Sequence, residues 1–476
     1  MSGVRPPPPR RGKPRAATHG VEAPAAAPPL DAIRACLEGV IPSLVATCGA
    51  DGMPNLTYVS QVHYVDRRHV ALSFQFFNKT RANILVNPRA SVFVIDPGTA
   101  GRYVLHVRYL RTEAQGPLFE RMKAYLSGIA SHSGMAGVFK LQGADVYEVL
   151  GIEHLQGAEL PVPPQRCELL AAVRNVGARL AHATDLATVL DDALAVLATE
   201  LGIAHSMVLL IDRNRDRLFT VASRGYPTSG VGSEIVLGDG VIGVAAREGT
   251  AIRIAHATSE YAYSRIIRER AQREGLTPDT EIPLPGLAAP GSQLAVPLTV
   301  GGSTVGVLFV ESPAEARFSW EDEDALTTIA VQLATTIALL QVTERSGDAA
   351  EGEPAADATP ATDAQVPRGA PVAVRHYAAD NSVFIGDEYL IKGVAGAIFR
   401  KLVRDYVERG RTDFSNRELR LDGSIRLPDI TDNLEARLIL LVRRLQEKNA
   451  AVRIEKTGRG RFHLTVQRPL KLVEST

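Results

Sequence analysis

Lys79, Thr80 and Arg81 follow an apolar run and begin a short helix that the pattern predicts from Asn78 to about Asn87. The first turn of a helix has backbone N–H groups without helical partners and carries the positive end of the helix dipole. Two cationic side chains and a hydroxyl at that point suit the binding of a phosphate group. A solvated first turn explains the same residues equally well, so the local sequence leaves both interpretations open.

A second group of cations lies near the C-terminus. Residues Val372 to Thr476 contain 20 Lys and Arg against 14 Asp and Glu, although the whole chain has 53 of each sign. The candidate contacts to duplex DNA lie on a helix predicted from Thr431 to Lys448 and on the hairpin after it, and are Arg437, Arg444, Lys448, Lys456, Arg459 and Arg461. Such contacts to phosphates give affinity and register rather than base choice.

Two features of this region favour other interpretations. The predicted helix contains the continuous apolar run Leu438 to Val442, which suits contact with a protein partner. The charged hairpin is also consistent with a solvated turn.

The sequence offers no carboxylate pair, nucleophile triad or metal-ligand set that can be assigned, so catalytic residues stay unknown and no metal is predicted. Cys36, Cys48 and Cys167 are odd in number and lack metal-ligand spacing, which favours a reducing compartment. A single His in an alternating strand is more often packed or exposed than a ligand, so the residues alone assign no role to His63 and His69.

The length of 476 residues predicts roughly three domains. Two low-complexity segments, a basic Pro-rich tail at 1–29 and a linker at 344–371, are predicted to be disordered. Prolines between Leu160 and Cys167 separate the first two folded blocks, so the blocks are 30–160, 167–343 and 372–476. The absence of an apolar run of about 18 residues predicts a cytoplasmic protein with no membrane partner.

The first block alternates in strand-like runs and has short helices, which predicts a small barrel. The predicted strands are Pro42 to Cys48, Asn55 to Val65, His69 to Gln75, Ala90 to Ile95, Arg102 to Glu113 and Asp145 to about Glu153. A second helix is predicted from Pro117 to about Ser131.

The stretch "FFNKTRANILVNPRASV" resembles the flavin-binding split barrel of the pyridoxamine-phosphate-oxidase-like superfamily, and the resemblance covers roughly Pro29 to Leu160. It implies FMN as cofactor, with its phosphate held by Asn78, Lys79, Thr80 and Arg81. Thr80 stands where the family usually has Lys, and Thr57 replaces an Arg expected in the preceding strand. Arg81 would then supply the missing charge. Some relatives of this barrel bind haem, so the resemblance also leaves His63 and His69 as a minor alternative as haem ligands.

The second block begins with helices from about Glu168 to His182 and from Ala187 to Leu201, and ends with a long helix from Ser319 to about Thr343. Together with "GDGVIGVAAREGTAIRI" and "LAVPLTVGGSTVGVLFVE", this order resembles the GAF family of small-molecule-binding regulatory domains. The resemblance implies an unidentified small ligand. The segment from Ala255 to Gly291 is long for a connection and is therefore predicted to cover or line a pocket. The last helix could pair with a second copy, as in many GAF homodimers, or pack only on its own sheet.

The third block has strands, three helices and a hairpin in that order, and resembles the winged-helix output domain of response regulators. The resemblance implies that Thr431 to Lys448 is the recognition helix and that "EKTGRGRF" is the wing. The predicted fold is therefore multidomain α+β, with a split β-barrel, a GAF α/β sandwich and a C-terminal winged helix.

These features favour a cytoplasmic signal-sensing regulatory protein with a DNA-binding output. The alternative is a flavin-dependent oxidoreductase that its GAF domain regulates, in which the chemistry would belong mostly to the cofactor. A scaffold in which all three blocks mediate assembly is a third possibility.

Overall fold

The computed structural model describes residues 28–37, 41–59, 62–74, 79–132, 140–162, 167–212, 215–255, 282–350, 369–425 and 434–475. Asn78, nearly all of the predicted N-terminal tail and most of the segment from Ala255 to Gly291 lie outside these residues. The described residues form an N-terminal and a middle domain with one sheet each and a C-terminal domain with two sheets.

The N-terminal domain is a seven-stranded antiparallel sheet with the order β2-β1-β5-β6-β7-β4-β3. Alternate strand residues such as Val45, Val92 and Leu105 are buried in its core, which a 3-10 helix at Leu30–Leu37 covers. The strands are β1 Ser43–Cys48, β2 Pro54–Val59, β3 Val62–Asp66, β4 His69–Phe74, β5 Arg89–Ile95, β6 Arg102–Glu113 and β7 Gly143–Leu155. The helices are α1 Lys79–Val86 and α2 Pro117–His132.

The strand predicted from Asn55 to Val65 is divided in the structure. Its first part is β2, which pairs with β1, and its second part is β3, which pairs with β4 at the opposite edge of the sheet. Alternation cannot reveal this change of edge, because both strands keep the two-residue period of side chains.

The middle domain has a six-stranded sheet with the order β10-β9-β8-β13-β12-β11. The strands are β8 His205–Asp212, β9 Arg217–Arg224, β10 Glu234–Val236, β11 Ile252–Ile254, β12 Ser292–Val300 and β13 Ser303–Ser312. The helices are α3 Leu169–His182, α4 Leu186–Glu200, α5 Gly240–Glu248 and α6 Trp320–Ala350. Gly301 and Gly302 both have positive φ, +56° and +77°, as the tight β12–β13 turn requires.

Helix α6 begins where the sequence predicts it, because Ser319 and Asp322 cap each other's backbone N–H groups. It continues to Ala350, so the first seven residues of the predicted linker are helical. Residues Trp320–Thr343 are long and apolar enough to cross a membrane, with a mean hydropathy of 1.7. The expectation from the sequence that no segment is apolar enough to span a bilayer is therefore wrong for this helix, of which Leu326, Ile329 and Leu333 are buried in the domain core.

The C-terminal domain combines a four-stranded sheet, β16-β15-β14-β20, with a three-stranded sheet, β17-β19-β18. The strands are β14 Val372–Tyr377, β15 Ser382–Ile385, β16 Glu388–Ile391, β17 Asp413–Ser415, β18 Val452–Gly458, β19 Arg461–Val466 and β20 Leu470–Ser475. The helices are α7 Gly393–Arg409, α8 Asn416–Leu421 and α9 Leu434–Glu447. Buried Lys401 of α7 binds Asp405 at 2.9 Å and Asp422 at 2.8 Å, which ties α7 to the end of α8.

The N-terminal and middle domains meet through α2, which packs on α5 and β11. The hydroxyl of Tyr125 donates to the carbonyl oxygen of Arg253 at 3.0 Å. A Cβ atom at Gly128 would lie 2.4 Å from Cγ2 of Ile252, so only glycine permits this close approach. Nearby, the guanidinium of Arg34 lies over the rings of Tyr64 and Trp320 and pairs with Asp324 at 3.6 Å.

Candidate functional site

The predicted phosphate site lies at the start of α1, beside β1 and β2. Lys79 is the first residue of the helix and is exposed. The Thr80 hydroxyl accepts a hydrogen bond of 2.8 Å from the side-chain amide of Asn55. Asn78 lies outside the described residues. The structure thus places one cation and one hydroxyl of the predicted set at this helix end.

The side chain of Arg81 contacts strands β6 and β7 rather than lying at the predicted phosphate site. Its Nη1 donates to Oδ1 of Asp145 at 2.6 Å, and its Nη2 donates to the Thr112 hydroxyl at 3.1 Å. Asp145 is buried on β7, and the Tyr109 hydroxyl lies 2.7 Å from that of Thr112. The carboxylate neutralises the guanidinium, so the compensating charge expected from Arg81 is already used within the protein.

The residues present fit the phosphate of FMN in part. The exposed Lys79 and the first-turn N–H groups of α1 suit an anion, and Thr80 lies next to them. Arg81 would add little net charge because of its ion pair with Asp145. Sequence reasoning missed Asp145, which is one of three acidic residues in strand β7 and lies 64 residues from Arg81 in the chain.

The second candidate site is the predicted DNA-binding surface, and in the structure helix α9 lies against the middle domain. Nη2 of Arg437 donates to Oδ2 of Asp212 at 2.8 Å, and both side chains are buried. The guanidinium carbon of Arg437 also lies 3.9 Å from the centre of the Phe219 ring. This cation therefore faces the β8–β9 hairpin of the middle domain rather than solvent.

Arg444 and Lys448 are also engaged by protein groups. Arg444 is buried, and it donates to the Leu390 carbonyl oxygen at 3.1 Å and to Glu447 at 2.8 Å. Lys448 pairs with Glu388 at 3.0 Å. A further arginine, Arg443, donates to Asp191 and to the Val221 carbonyl oxygen, both at 2.8 Å. Sequence reasoning missed this residue and its acidic partner.

The predicted wing residues lie on the β18–β19 hairpin and are exposed. Lys456 lies 3.4 Å from Oε1 of Glu435, and Arg459 donates to the carbonyl oxygen of Thr343 in α6 at 2.8 Å. Arg461 lines a cleft between the hairpin and α4. The hairpin thus combines exposed cations with a contact to the middle domain.

The apolar run Leu438 to Val442 lies within this domain interface. Leu438, Ile439, Leu440 and Leu441 are buried, and Cδ2 of Leu440 lies near Gly232 of the middle domain. Leu440 of this run therefore lies against the middle domain of the same chain.

The two histidines considered as haem ligands have different surroundings. Burial, followed by the nearby charges of Arg121 and Arg34, lowers the pKa of His63 to about 4. His69 Nδ1 lies 2.9 Å from the Asp66 carboxylate at the β3–β4 turn.

Comparison with known families shows two domain types in this chain. Residues 29–149 match the family described as Pyridoxamine 5'-phosphate oxidase, and residues 183–338 match the GAF domain family. Neither match includes the C-terminal domain. No curated protein matches the chain.

Three similar solved structures illustrate these domains. The GAF domain of an Acinetobacter phosphoenolpyruvate-protein phosphotransferase is 22% identical, covers 36% of this chain and 94% of its own, and has a TM-score of 0.29. An FMN-binding protein from Syntrophomonas wolfei is 15% identical, with coverages of 27% and 86% and a TM-score of 0.24. Free methionine-R-sulfoxide reductase from Neisseria meningitidis is 21% identical, with coverages of 37% and 91% and a TM-score of 0.29. On the two family matches, this chain carries an oxidase-type split barrel followed by a GAF domain.

Proposed function

We propose that this protein is a cytoplasmic regulator in which the GAF domain controls access to a C-terminal winged-helix domain that binds DNA. Two observations support the winged helix: the order of α7, α8, α9 and the β18–β19 hairpin, and the local excess of cations. In this proposal α9 is the recognition helix and the hairpin is the wing.

The single observation that carries the proposal is the buried ion pair between Arg437 and Asp212. This ion pair joins the proposed recognition helix to the GAF sheet. It also occupies Arg437, which the proposed contact with DNA would require. A helix whose outward residues lie against another domain cannot enter a major groove. The docked arrangement is therefore the state that does not bind DNA. Separation of the domains exposes Arg437 on the same surface as the already exposed cations Lys448, Lys456, Arg459 and Arg461.

The split barrel is the second input in this proposal. We propose that it binds FMN, with Asn78, Lys79 and Thr80 contacting the phosphate and Arg81 held in place by Asp145. FMN would supply redox chemistry when bound. The family match at 29–149 equally favours the alternative function, a flavin-dependent oxidoreductase that the GAF domain regulates.

We also propose that the chain forms a homodimer through α6. Val331, Leu339 and Val342 are exposed on this helix, and their spacing of eight and three residues places them on one face. An apolar stripe of this kind is typical of a helix that pairs with a second copy.

The test of DNA binding uses the full chain and the variant Asp212→Asn. Losing the carboxylate leaves the Arg437 charge buried without its partner, which costs about 3–5 kcal/mol in the docked arrangement. The variant should bind a mixed duplex DNA pool more tightly than the wild type, with an affinity that falls steeply as salt rises. Asp324→Asn is the matched control, because Asp324 pairs with Arg34 at the other domain interface. A variant that stays folded and binds DNA no better than the control would contradict the proposal.

A further inference from the structure

A cavity of about 350 Å³ lies between the GAF domain and the C-terminal domain. Helix α4 forms one side, while α9 and the β18–β19 hairpin form the other. Neither domain encloses this space alone, so the cavity exists only while the two domains are docked. Its volume lies within the range of small-molecule sites in proteins.

The walls of the cavity are largely apolar. Leu438, Ile439 and Val442 line it from α9, and Ile454 and Phe462 line it from the hairpin. Phe462 stacks on Phe414 with ring centres 5.9 Å apart, which fixes the orientation of its ring. A hydrocarbon or aromatic group of a ligand would be removed from water here.

Six charged side chains line the cavity, three acidic and three basic. Most of them already have a partner within the protein or are exposed to solvent. Arg443 pairs with Asp191 at 2.8 Å, and Asp185 caps α4 by accepting from the Thr188 N–H at 3.0 Å. Lys456 and Arg461 are exposed at the mouth, where solvent screens their charges. The remaining group is Glu435.

Glu435 is a buried carboxylate with incomplete hydrogen bonding. The residue is 8% exposed, and its Oε1 has a long contact of 3.4 Å to Lys456. Among the described residues, its Oε2 is buried and has no hydrogen-bond partner. A buried carboxylate oxygen without a donor is unfavourable, so a donor supplied by a ligand would be bound strongly.

We propose that this interdomain cavity binds a small organic ammonium ion with an apolar body. The ammonium N–H donates to the carboxylate of Glu435, after a side-chain rotation that turns Oε2 toward the cavity, and the apolar body packs on Ile439, Ile454 and Phe462. Lys456 and Arg461 at the mouth repel a positive ligand weakly, because solvent screens their charges. The buried carboxylate of Glu435 attracts the ligand more strongly than these cations repel it. Since the site spans both domains, such a ligand stabilises the docked arrangement. The proposal requires domain docking but not DNA binding.

The probe is phenethylammonium, with phenylacetate as a control of similar shape and opposite charge. Binding to the full chain is measured by calorimetry at pH 7, and docking by hydrogen exchange of the α9 amides. We expect phenethylammonium to bind in the millimolar range or tighter and to increase protection of α9, and phenylacetate not to bind. Glu435→Gln should weaken binding at least about tenfold, since one charge-assisted hydrogen bond is lost.

Two further variants distinguish the loss of the ligand contact in the cavity from misfolding of the chain. Val442→Phe should abolish binding, because Val442 is half-buried and a larger ring there fills the cavity. Glu388→Gln is the matched control, since this glutamate is exposed on β16 and pairs with Lys448 outside the cavity. The proposal is wrong if the wild type does not bind the amine, if phenylacetate binds equally well, or if folded Glu435→Gln binds as tightly as Glu388→Gln.

Discussion

Arg437 of α9 and Asp212 of β8 form an ion pair of 2.8 Å across the interface of the GAF and C-terminal domains, with side chains only 8% and 7% exposed. The Phe219 ring covers the guanidinium. Desolvation makes such a pair contribute little net stability, but removal of one partner is costly because the other charge stays buried. The pair therefore specifies which surfaces dock more than it strengthens the docking.

This reasoning predicts a non-additive result for the two residues. Arg437→Met keeps an apolar stem but leaves Asp212 buried without its cation, which should destabilise the chain by about 3–5 kcal/mol. Arg437→Met combined with Asp212→Leu should recover most of that loss. Urea denaturation measures the free energy of unfolding of both variants. The control is Arg400→Met, which removes an ion pair with half-exposed Glu474. A double variant that is no more stable than Arg437→Met alone would contradict this coupling of the two charges.

The two cations of α1 are predicted to have separate roles. Lys79→Ala should weaken FMN binding by about 1.5–3 kcal/mol, the value of a charged hydrogen bond to phosphate, and leave stability unchanged. Arg81→Ala should instead destabilise the barrel, because buried Asp145 loses its partner. Flavin fluorescence titration and urea denaturation distinguish the two effects. A barrel that keeps its FMN affinity without Lys79 would remove this residue from the phosphate site.

The lowered pKa of His63 predicts how the stability of the protein depends on pH. Burial, followed by the nearby charges of Arg121 and Arg34, lowers the pKa of His63 in the folded state to about 4, below the ordinary value of 6.5. The unfolded state therefore binds a proton between these values while the folded state does not, so stability is complete above pH 6.5 and falls as the pH decreases toward 4. The loss should approach roughly 2–3 kcal/mol. His63→Gln should flatten this part of the urea-denaturation profile, whereas His106→Gln, at a half-exposed imidazole, should not.

Gly128 should resist the substitution that helices usually favour. Gly→Ala within a helix commonly stabilises a protein by about 1 kcal/mol. Here the added Cβ would lie 2.4 Å from Cγ2 of Ile252, so Gly128→Ala should destabilise the contact between α2 and the GAF domain by about 1–3 kcal/mol. Ile252→Ala in the same chain should relieve the clash. Thermal unfolding of the two variants checks this, and a stabilised Gly128→Ala protein would show that the domains separate readily.

The exposed stripe on α6 predicts the oligomeric state. Leu339→Glu places a charge among Val331, Thr335 and Val342 and should convert a dimer to a monomer in light scattering after gel filtration. The control is Leu284→Glu, at an exposed leucine outside α6. A wild-type chain that is monomeric at high concentration would refute the dimer.

The sequence alone determined most elements of this protein and two of its domain types. Helix α1, strands β5 and β6 and the β12–β13 turn lie where periodicity, Asn87-Pro88 and Gly301-Gly302 place them, because these signals act within a few residues. The same signals could not divide β2 from β3. Leu56, Tyr58 and Val62 continue one apolar alternation in the sequence, but Leu56 and Tyr58 are exposed on β2 whereas Val62 is buried on β3.

Only the tertiary structure decided which partners the charged residues have. Arg81 meets Asp145 from 64 residues away, and Arg437 meets Asp212 from 225 residues away. A cation on a helix looks the same in sequence whether it faces a phosphate or a buried carboxylate, because spacing specifies the face of an element but not what covers that face. The apolar run at Leu438 to Val442 indicated a protein contact, and the packing of α9 against the GAF sheet decided that the contact lies within the same chain.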